Sequence, residues 1–250
     1  MSDALLSIVG VSAGYDAVDV IHGVDMQAKR GEITCLLGAN GAGKSTLIKT
    51  IFGVLRPRSG SIHFDGVEIS RLESHEIVRR GLVAVPEGSR VFPKMSVLDN
   101  LRVGAYLERS PTVIAANLER VFALFPRLHE RIDQFAGTLS GGERSMLSIG
   151  RSLMCRPSML VIDEPSLGLS PRFVKENFGI IRDLCTDDCA ILLVEQNARQ
   201  TLDISEYGYL MSQGHITCHG AASELRHSPD VARAYFGGQD SEQTNNEAMT

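Results

Sequence analysis

No apolar run in this chain is longer than a buried strand needs. The longest, MLVI at 159–162 and AILLV at 190–194, fall far short of the roughly 18–20 residues that cross a bilayer. The first ten residues, MSDALLSIVG, have no basic cluster ahead of their short apolar stretch and so do not read as a secretion signal. The expectation is a cytosolic chain whose membrane role, if any, is indirect. Basic charge is not in excess either: the net charge is −5 and the pI about 5.8, against a general nucleic-acid binder. Cys35, Cys155, Cys185, Cys189 and Cys218 form no CxxC pair, so idle thiols in a reducing compartment are expected rather than a metal or redox site. His215 and His219 are four apart, but in a hairpin-like segment, and read as surface histidines. What is present, 43% hydrophobic and 22% charged residues over 250, suits one α/β domain with a small subdomain.

The order of elements sharpens this. Strand candidates in the first third are LLSIV (5–9), EITCLL (32–37), SIHF (61–64) and VEI (67–69), with Asp65-Gly66 a hairpin turn between the last two. KSTLIKTIF reads as a helix closed by Gly53, and LVAV (82–85) as a buried strand stopped by Pro86. From about 88 to 150 the pattern is helical: Ser96 with Asp99 resembles a capping box, Pro111 opens PTVIAANLERVFALF, and another helix follows Gly141-Gly142. Strand–helix alternation then returns, which right-handed crossovers fold into a parallel sheet. The tail from 239 to 250 reads as disordered.

The strongest local signal is GANGAGKS, the residues Gly38, Ala39, Asn40, Gly41, Ala42, Gly43, Lys44 and Ser45, with Thr46 next. It fits GxxxxGK[ST] between a strand and a helix. Glycines let successive N–H groups turn toward phosphate oxygens, and the helix start adds partial positive charge there. Lys44 is then expected to bridge the β- and γ-phosphates and Ser45 to hold Mg²⁺. MLVIDEP supplies two acids at a strand exit: Asp163 for the hydrated metal and Glu164 to polarise a water. An Asn-Lys-x-Asp guanine-reading segment is absent, so the nucleotide is expected to be ATP.

LSGGE, Leu139 to Glu143, precedes a helix about twenty residues before MLVIDE. With the P-loop and the two acids in this order, residues 5 to 238 resemble the ABC-transporter ATPase family. The resemblance implies a P-loop NTPase fold of the ABC-ATPase type: a RecA-like core, an antiparallel β subdomain and a helical subdomain. The core with its β subdomain would be 1–87 and 151–238, and the helical subdomain 88–150, within one ATPase domain 1–238. It implies that Ser140, Gly141 and Gly142 bind ATP held by a partner cassette, and that Tyr15 stacks on adenine. VPEGSRVFPKMSVLDNL, LFPRLHERI, DEPSLGLSP, LLVEQNA and AYFGG are similar to the LivF-type ATPases of branched-chain amino acid importers. The implied partners are a second, LivG-like ATPase or a second copy of the chain, two transmembrane permeases and, indirectly, a periplasmic binding protein. The implied location is peripheral, on the cytoplasmic face of the inner membrane.

Gln196, in ILLVEQN, stands where the family usually has a switch histidine, and Glu87 where it has a loop glutamine. Ser170 replaces a usual aspartate. The polar group Glu195, Gln196 and Asn197 is expected to look onto the γ-phosphate, with Gln196 and Glu87 in the reaction alongside Glu164. A carboxamide can donate a hydrogen bond there but cannot become cationic as imidazole can. Two alternatives stay open: the ATPase of a urea or short-amide importer, and a weakly hydrolysing, nucleotide-gated scaffold in a heterodimer.

Overall fold

Turn signals and alternating apolar residues build two sheets in the computed structural model, which describes residues 4–228 and residue 231. The first sheet is antiparallel, with β1 (Ala4–Tyr15), β2 (Val18–Lys29), β4 (Ser59–Phe64) and β5 (Val67–Glu68) in the order β2-β1-β4-β5. Asp65 and Gly66 both take positive φ, 49° and 74°, as a tight turn between β4 and β5 requires. The second sheet contains β3 (Ile33–Gly38), β6 (Leu82–Val85), β7 (Met159–Asp163), β8 (Ala190–Glu195), β9 (Tyr207–Ser212) and β10 (His215–Ala221). Its order is β10-β9-β3-β8-β7-β6, and every pair is parallel except the closing hairpin β9–β10.

The parallel strands are buried on both faces, which is why they read as unbroken apolar runs. Period-2 alternation sends Cys35, Leu37, Leu160, Ile162, Ile191 and Leu193 into one core. That core also takes residues of α3 (Val97–Gly104), α4 (Pro111–Leu124), α6 (Gly141–Leu153) and α7 (Pro171–Leu184), such as Leu101, Val121, Leu147 and Ile181. Leu36, Met159, Val161, Leu192 and Val194 point the other way, into a second core with Leu47 and Ile51 of α1 (Lys44–Ile51) and the antiparallel sheet. Each such side chain contributes about 1.5–3 kcal/mol on leaving water.

Several elements differ from the sequence reading. β2 is a full strand that alternation did not reveal, because its buried residues Ile21, Val24, Met26 and Ala28 skip a beat and its pairing with β1 carries register shifts. α5 (Pro126–Glu130) is an additional short helix, started by a proline at its first position. Ser96 does cap α3, its Oγ accepting from the Asp99 N–H at 3.0 Å, but the helix stops at Gly104. Between β6 and β7 the regular structure is helical throughout. The expected tail 239–250 and the AYFGG segment lie outside the described residues. The cysteines are free thiols, and burial pushes Cys35 up to about 12 and Cys189 to about 11, so both stay protonated and unreactive.

Candidate active site

Because β3, β8, β7 and β6 run in parallel, their C-terminal ends Gly38, Glu195, Asp163 and Val85 lie along one edge of the sheet, where open α/β sheets bind ligands. The loop after β3 turns sharply there. Gly43 has φ 110°, and a Cβ on it would sit 2.9 Å from Ile21 Cγ2, so conformation and space both demand glycine. Gly43 caps α1 with no side-chain hydrogen bond, and the first turn of α1 has no acid. The opening amides of α1 are therefore not screened by a local carboxylate, as anion binding at a helix start requires. The loop is braced from behind by the β9–β10 turn. The Gly214 N–H donates to the Ala42 carbonyl at 2.9 Å, and the Gly214 carbonyl accepts from the His22 N–H at 2.9 Å.

The loop lines a cleft of about 290 Å³ with Ala39, Asn40, Gly41, Gly43, Lys44, Ser45 and Thr46, while Glu87, Glu164 and Leu167 line it from other elements. Lys44 is buried along its stem. Its Nζ donates to the Gly38 carbonyl at 2.7 Å and the Ala39 carbonyl at 3.3 Å, and pairs with Glu164 Oε1 at 3.2 Å. Glu164 itself has φ 46°, in the left-handed region, with its N–H donated to the Val194 carbonyl at 2.8 Å.

Ser45 and Glu87 also line an adjoining cavity, together with Asp163. Burial, then the neighbouring Glu164 and Glu87 charges, push the Asp163 carboxyl up to about 6. A hydroxyl and a carboxylate are hard oxygen donors on one wall, beside an excess of negative charge that a divalent cation would relieve. The residues thus fit Mg²⁺. Among the described residues no group of three or more His, Cys, Asp or Glu could hold a metal; Mg²⁺ commonly takes one or two protein oxygens and completes its shell with phosphate oxygens and water.

Other residues singled out from the sequence fall elsewhere. Tyr15 ends β1, half-exposed beside α1. Its hydroxyl accepts from Lys49 Nζ at 2.9 Å, and that bond, with one involving Thr46, holds its pKa below the usual phenol value. Ser140, Gly141 and Gly142 start α6 and line no part of the cleft. There Ser140 Oγ accepts from the Glu143 N–H at 3.3 Å and Glu143 Oε2 from the Ser140 N–H at 2.9 Å, a reciprocal cap. Burial pushes Glu143 up, but the Ser140 hydrogen bonds and the charges of Arg131 and Arg127 outweigh it and hold the carboxyl low. Ser170 precedes α7, exposed and without a side-chain cap bond.

The group at the end of β8 splits. Gln196 and Asn197 are exposed, whereas Glu195 is only 2% exposed and accepts the Ser166 N–H at 3.0 Å, with the Gln196 N–H at 3.2 Å. The three residues do not face one place, contrary to the sequence reading. Strand parity carried the missing signal, because Glu195 continues the face of Ile191 and Leu193.

A strand, a glycine loop and helix, and a second parallel strand, one place removed in the sheet and followed by two acids, define a P-loop nucleotide hydrolase. The family model described as ABC transporter matches residues 21–167, and the chain belongs to that family. It is 43% identical to the high-affinity branched-chain amino acid transport ATP-binding protein BraG of Pseudomonas aeruginosa, over 94% of this chain and 100% of the relative. It is 37% identical to the probable branched-chain amino acid transport ATP-binding protein LivF of Archaeoglobus fulgidus, over 88% and 94%. It is also 34% identical to the lipopolysaccharide export ATP-binding protein LptB of Escherichia coli, over 94% and 98%. The solved ADP conformation of an ABC-transporter cassette superposes with a TM-score of 0.81 at 27% identity, covering 94% of this chain and 100% of that one. The chain is therefore a LivF-type ABC ATPase: a nucleotide-binding transporter subunit of a class that dimerises and works with membrane permeases. No helix among the described residues is long and apolar enough to cross a membrane.

Proposed function

We propose that this chain hydrolyses ATP to drive uptake of branched-chain amino acids through a bacterial importer, bound peripherally on the cytoplasmic face of the inner membrane. The observation carrying the reading is the cleft shared by Lys44, Ser45, Glu87 and Glu164, in a chain that matches BraG over that relative's whole length. Lys44 and the loop from Gly38 to Thr46 grip the phosphates, and Tyr15 stacks on adenine. Ser45 and Asp163 hold Mg²⁺, which supplies positive charge against the phosphate oxygens. Glu164 polarises the attacking water, aided by Glu87 and Gln196. Ser140, Gly141 and Gly142 close the partner's site, and the partner is a LivG-like ATPase, alongside two permeases and a periplasmic binding protein. Residues 1–87 and 151–238 act as the nucleotide-binding core and 88–150 as the helical subdomain.

Phosphate release by the reconstituted complex tests hydrolysis, with Lys44→Ala as control; release no faster than that control would favour the nucleotide-gated scaffold. Cargo is tested on the binding protein encoded beside this chain. Leucine, isoleucine or valine as its ligand supports the reading, and urea or a short amide overturns it. The likeness to LptB shows why cargo needs this separate test, since related cassettes serve different substrates. Gln196 and Glu87 also make the two ATP sites unequal. Glu164→Gln should therefore harm turnover of the complex less than the equivalent change in the partner ATPase, and an equal or greater loss refutes the asymmetry.

A further inference from the structure

We propose that Glu195 is a positioning residue for hydrolysis: its buried carboxylate ties the turn carrying Glu164 to the exit of β8. At 2% exposure, on the face that holds Ile191 and Leu193, Glu195 reaches neither bulk water nor the cleft. A carboxylate in such a place is unfavourable unless hydrogen bonds replace its lost water. Here Oε1 accepts the Ser166 N–H at 3.0 Å, and Oε2 accepts the N–H of Gln196 at 3.2 Å and, more weakly, of Asn197 at 3.5 Å.

The bond to Ser166 is the consequential one. The Glu164–Ser166 turn is fixed to β8 twice, at its start by the Glu164 N–H on the Val194 carbonyl at 2.8 Å and at its end by Ser166 on Glu195. Between the two lies Pro165, whose ring fixes φ. Glu164 holds φ 46°, a conformation that a non-glycine residue keeps only where its surroundings impose it. The same turn sets Glu164 Oε1 3.2 Å from Lys44 Nζ. Without the carboxylate, the Ser166 N–H loses its acceptor and the turn one of its two ties to β8, leaving the Glu164 N–H on Val194 and a longer bond from Asn177 Nδ2 to the Pro165 carbonyl at 3.4 Å, so the aim of the Glu164 side chain loosens. Oε2 of the same group accepts the Gln196 backbone N–H, so one carboxylate joins the exit of β8 to the turn that carries Glu164.

The proposal rests on the reading that Glu164 polarises water, and the test separates the two. Glu195→Gln keeps an oxygen for the Ser166 N–H and loses the charge and the acceptor facing the Gln196 N–H; Glu195→Met keeps the volume and loses both acceptors. In the full chain assembled with its partners, Glu195→Met should lower kcat by about 10–100-fold, the scale of an ångström-level misplacement. The Kd for ATP should move less than about 3-fold, and Glu195→Gln should retain kcat within about 3-fold, on the same argument. Amide exchange at Ser166 should accelerate in Glu195→Met and stay slow in Glu195→Gln. Added to Glu164→Gln, Glu195→Met should cost little more, since both act through one group. The proposal is overturned if Glu195→Gln is as damaging as Glu195→Met, if exchange at Ser166 is unchanged in Glu195→Met, or if the two losses multiply undiminished. Should Glu164→Gln leave turnover intact, the role given to Glu164 falls, while exchange at Ser166 still decides the tether.

Discussion

The two glycine-bearing helix starts, at Gly43 and at Ser140, handle their backbone donors in opposite ways. α1 opens with no side-chain cap and no acid in its first turn, facing a cleft closed by other parts of the same chain. α6 opens with a reciprocal cap between Ser140 and Glu143, reinforced by Arg131 on Glu143 at 3.0 Å, and Ser140 is exposed. The first start is electrostatically incomplete without an anion. The second is complete as a helix and stays out of its own chain's cleft. On the proposed reading, an ATP site made from one of each would have its chemistry pre-set on one protomer and its lid pre-folded on the other.

The largest test of that contrast is Lys44→Ala against Ser140→Ala. Lys44→Ala should lower nucleotide affinity of the isolated chain more than about tenfold and abolish turnover, because it removes the buried charge proposed to grip the phosphates. Ser140→Ala should leave affinity of the isolated chain within about twofold, cost about 1 kcal/mol of stability as a lost cap, and impair turnover only in the paired complex. Equal loss of affinity in the two variants by calorimetric titration breaks the contrast.

A smaller effect should appear at Asp163. Its folded carboxyl titrates near 6, above the usual 3.8, so the folded chain holds this proton more tightly than the unfolded one. Below about pH 4 the shift has no stability consequence beyond the protonated state, and as pH rises through 6 the favourable contribution of that state is lost. Asp163→Asn should therefore be more stable than the parent at pH 8, by about 1–3 kcal/mol from a shift of this size. The advantage should shrink toward zero at pH 4 in urea melts, while hydrolysis is lost. Smallest is a pair of alanines on α6. At Gly142 a Cβ would lie 2.5 Å from Phe173 Cδ1, whereas at Gly141 the nearest atom, Leu169 Cδ2, is an ordinary 3.5 Å away. Gly142→Ala should lower stability by about 1–2 kcal/mol through overpacking, and Gly141→Ala should not lower it. Thermal melts distinguish them.

What the sequence made legible was local structure written in contiguous residues: the loop from Gly38 to Ser45 between strand and helix, the acids at the end of β7, the cap at Ser96 and the Asp65-Gly66 turn. Each is a local conformational requirement that short spacing expresses. β2 escaped because bulged pairing breaks the strict alternation that identifies a strand, and its partner β1 reaches further than LLSIV suggested. Glu195 was misdirected for another reason. Chemistry suggested that three polar residues in a row act together, whereas strand geometry sends neighbours to opposite sides. The resemblance identified Ser140 to Gly142 as acting in trans; within one chain, geometry alone says only that they stay out of the cleft.

The glycine turn at 213–214 has a consequence for biosynthesis. The phosphate loop leaves the ribosome early, yet the strands flanking β3 on both sides, and the amide that braces Ala42, are supplied by residues made near the end of the described chain. A nascent polypeptide therefore carries the loop long before it carries the loop's scaffold. Both flanking strands must be in place before the loop has its scaffold, so ribosome-bound fragments halted before Gly214 should be unable to retain ATP.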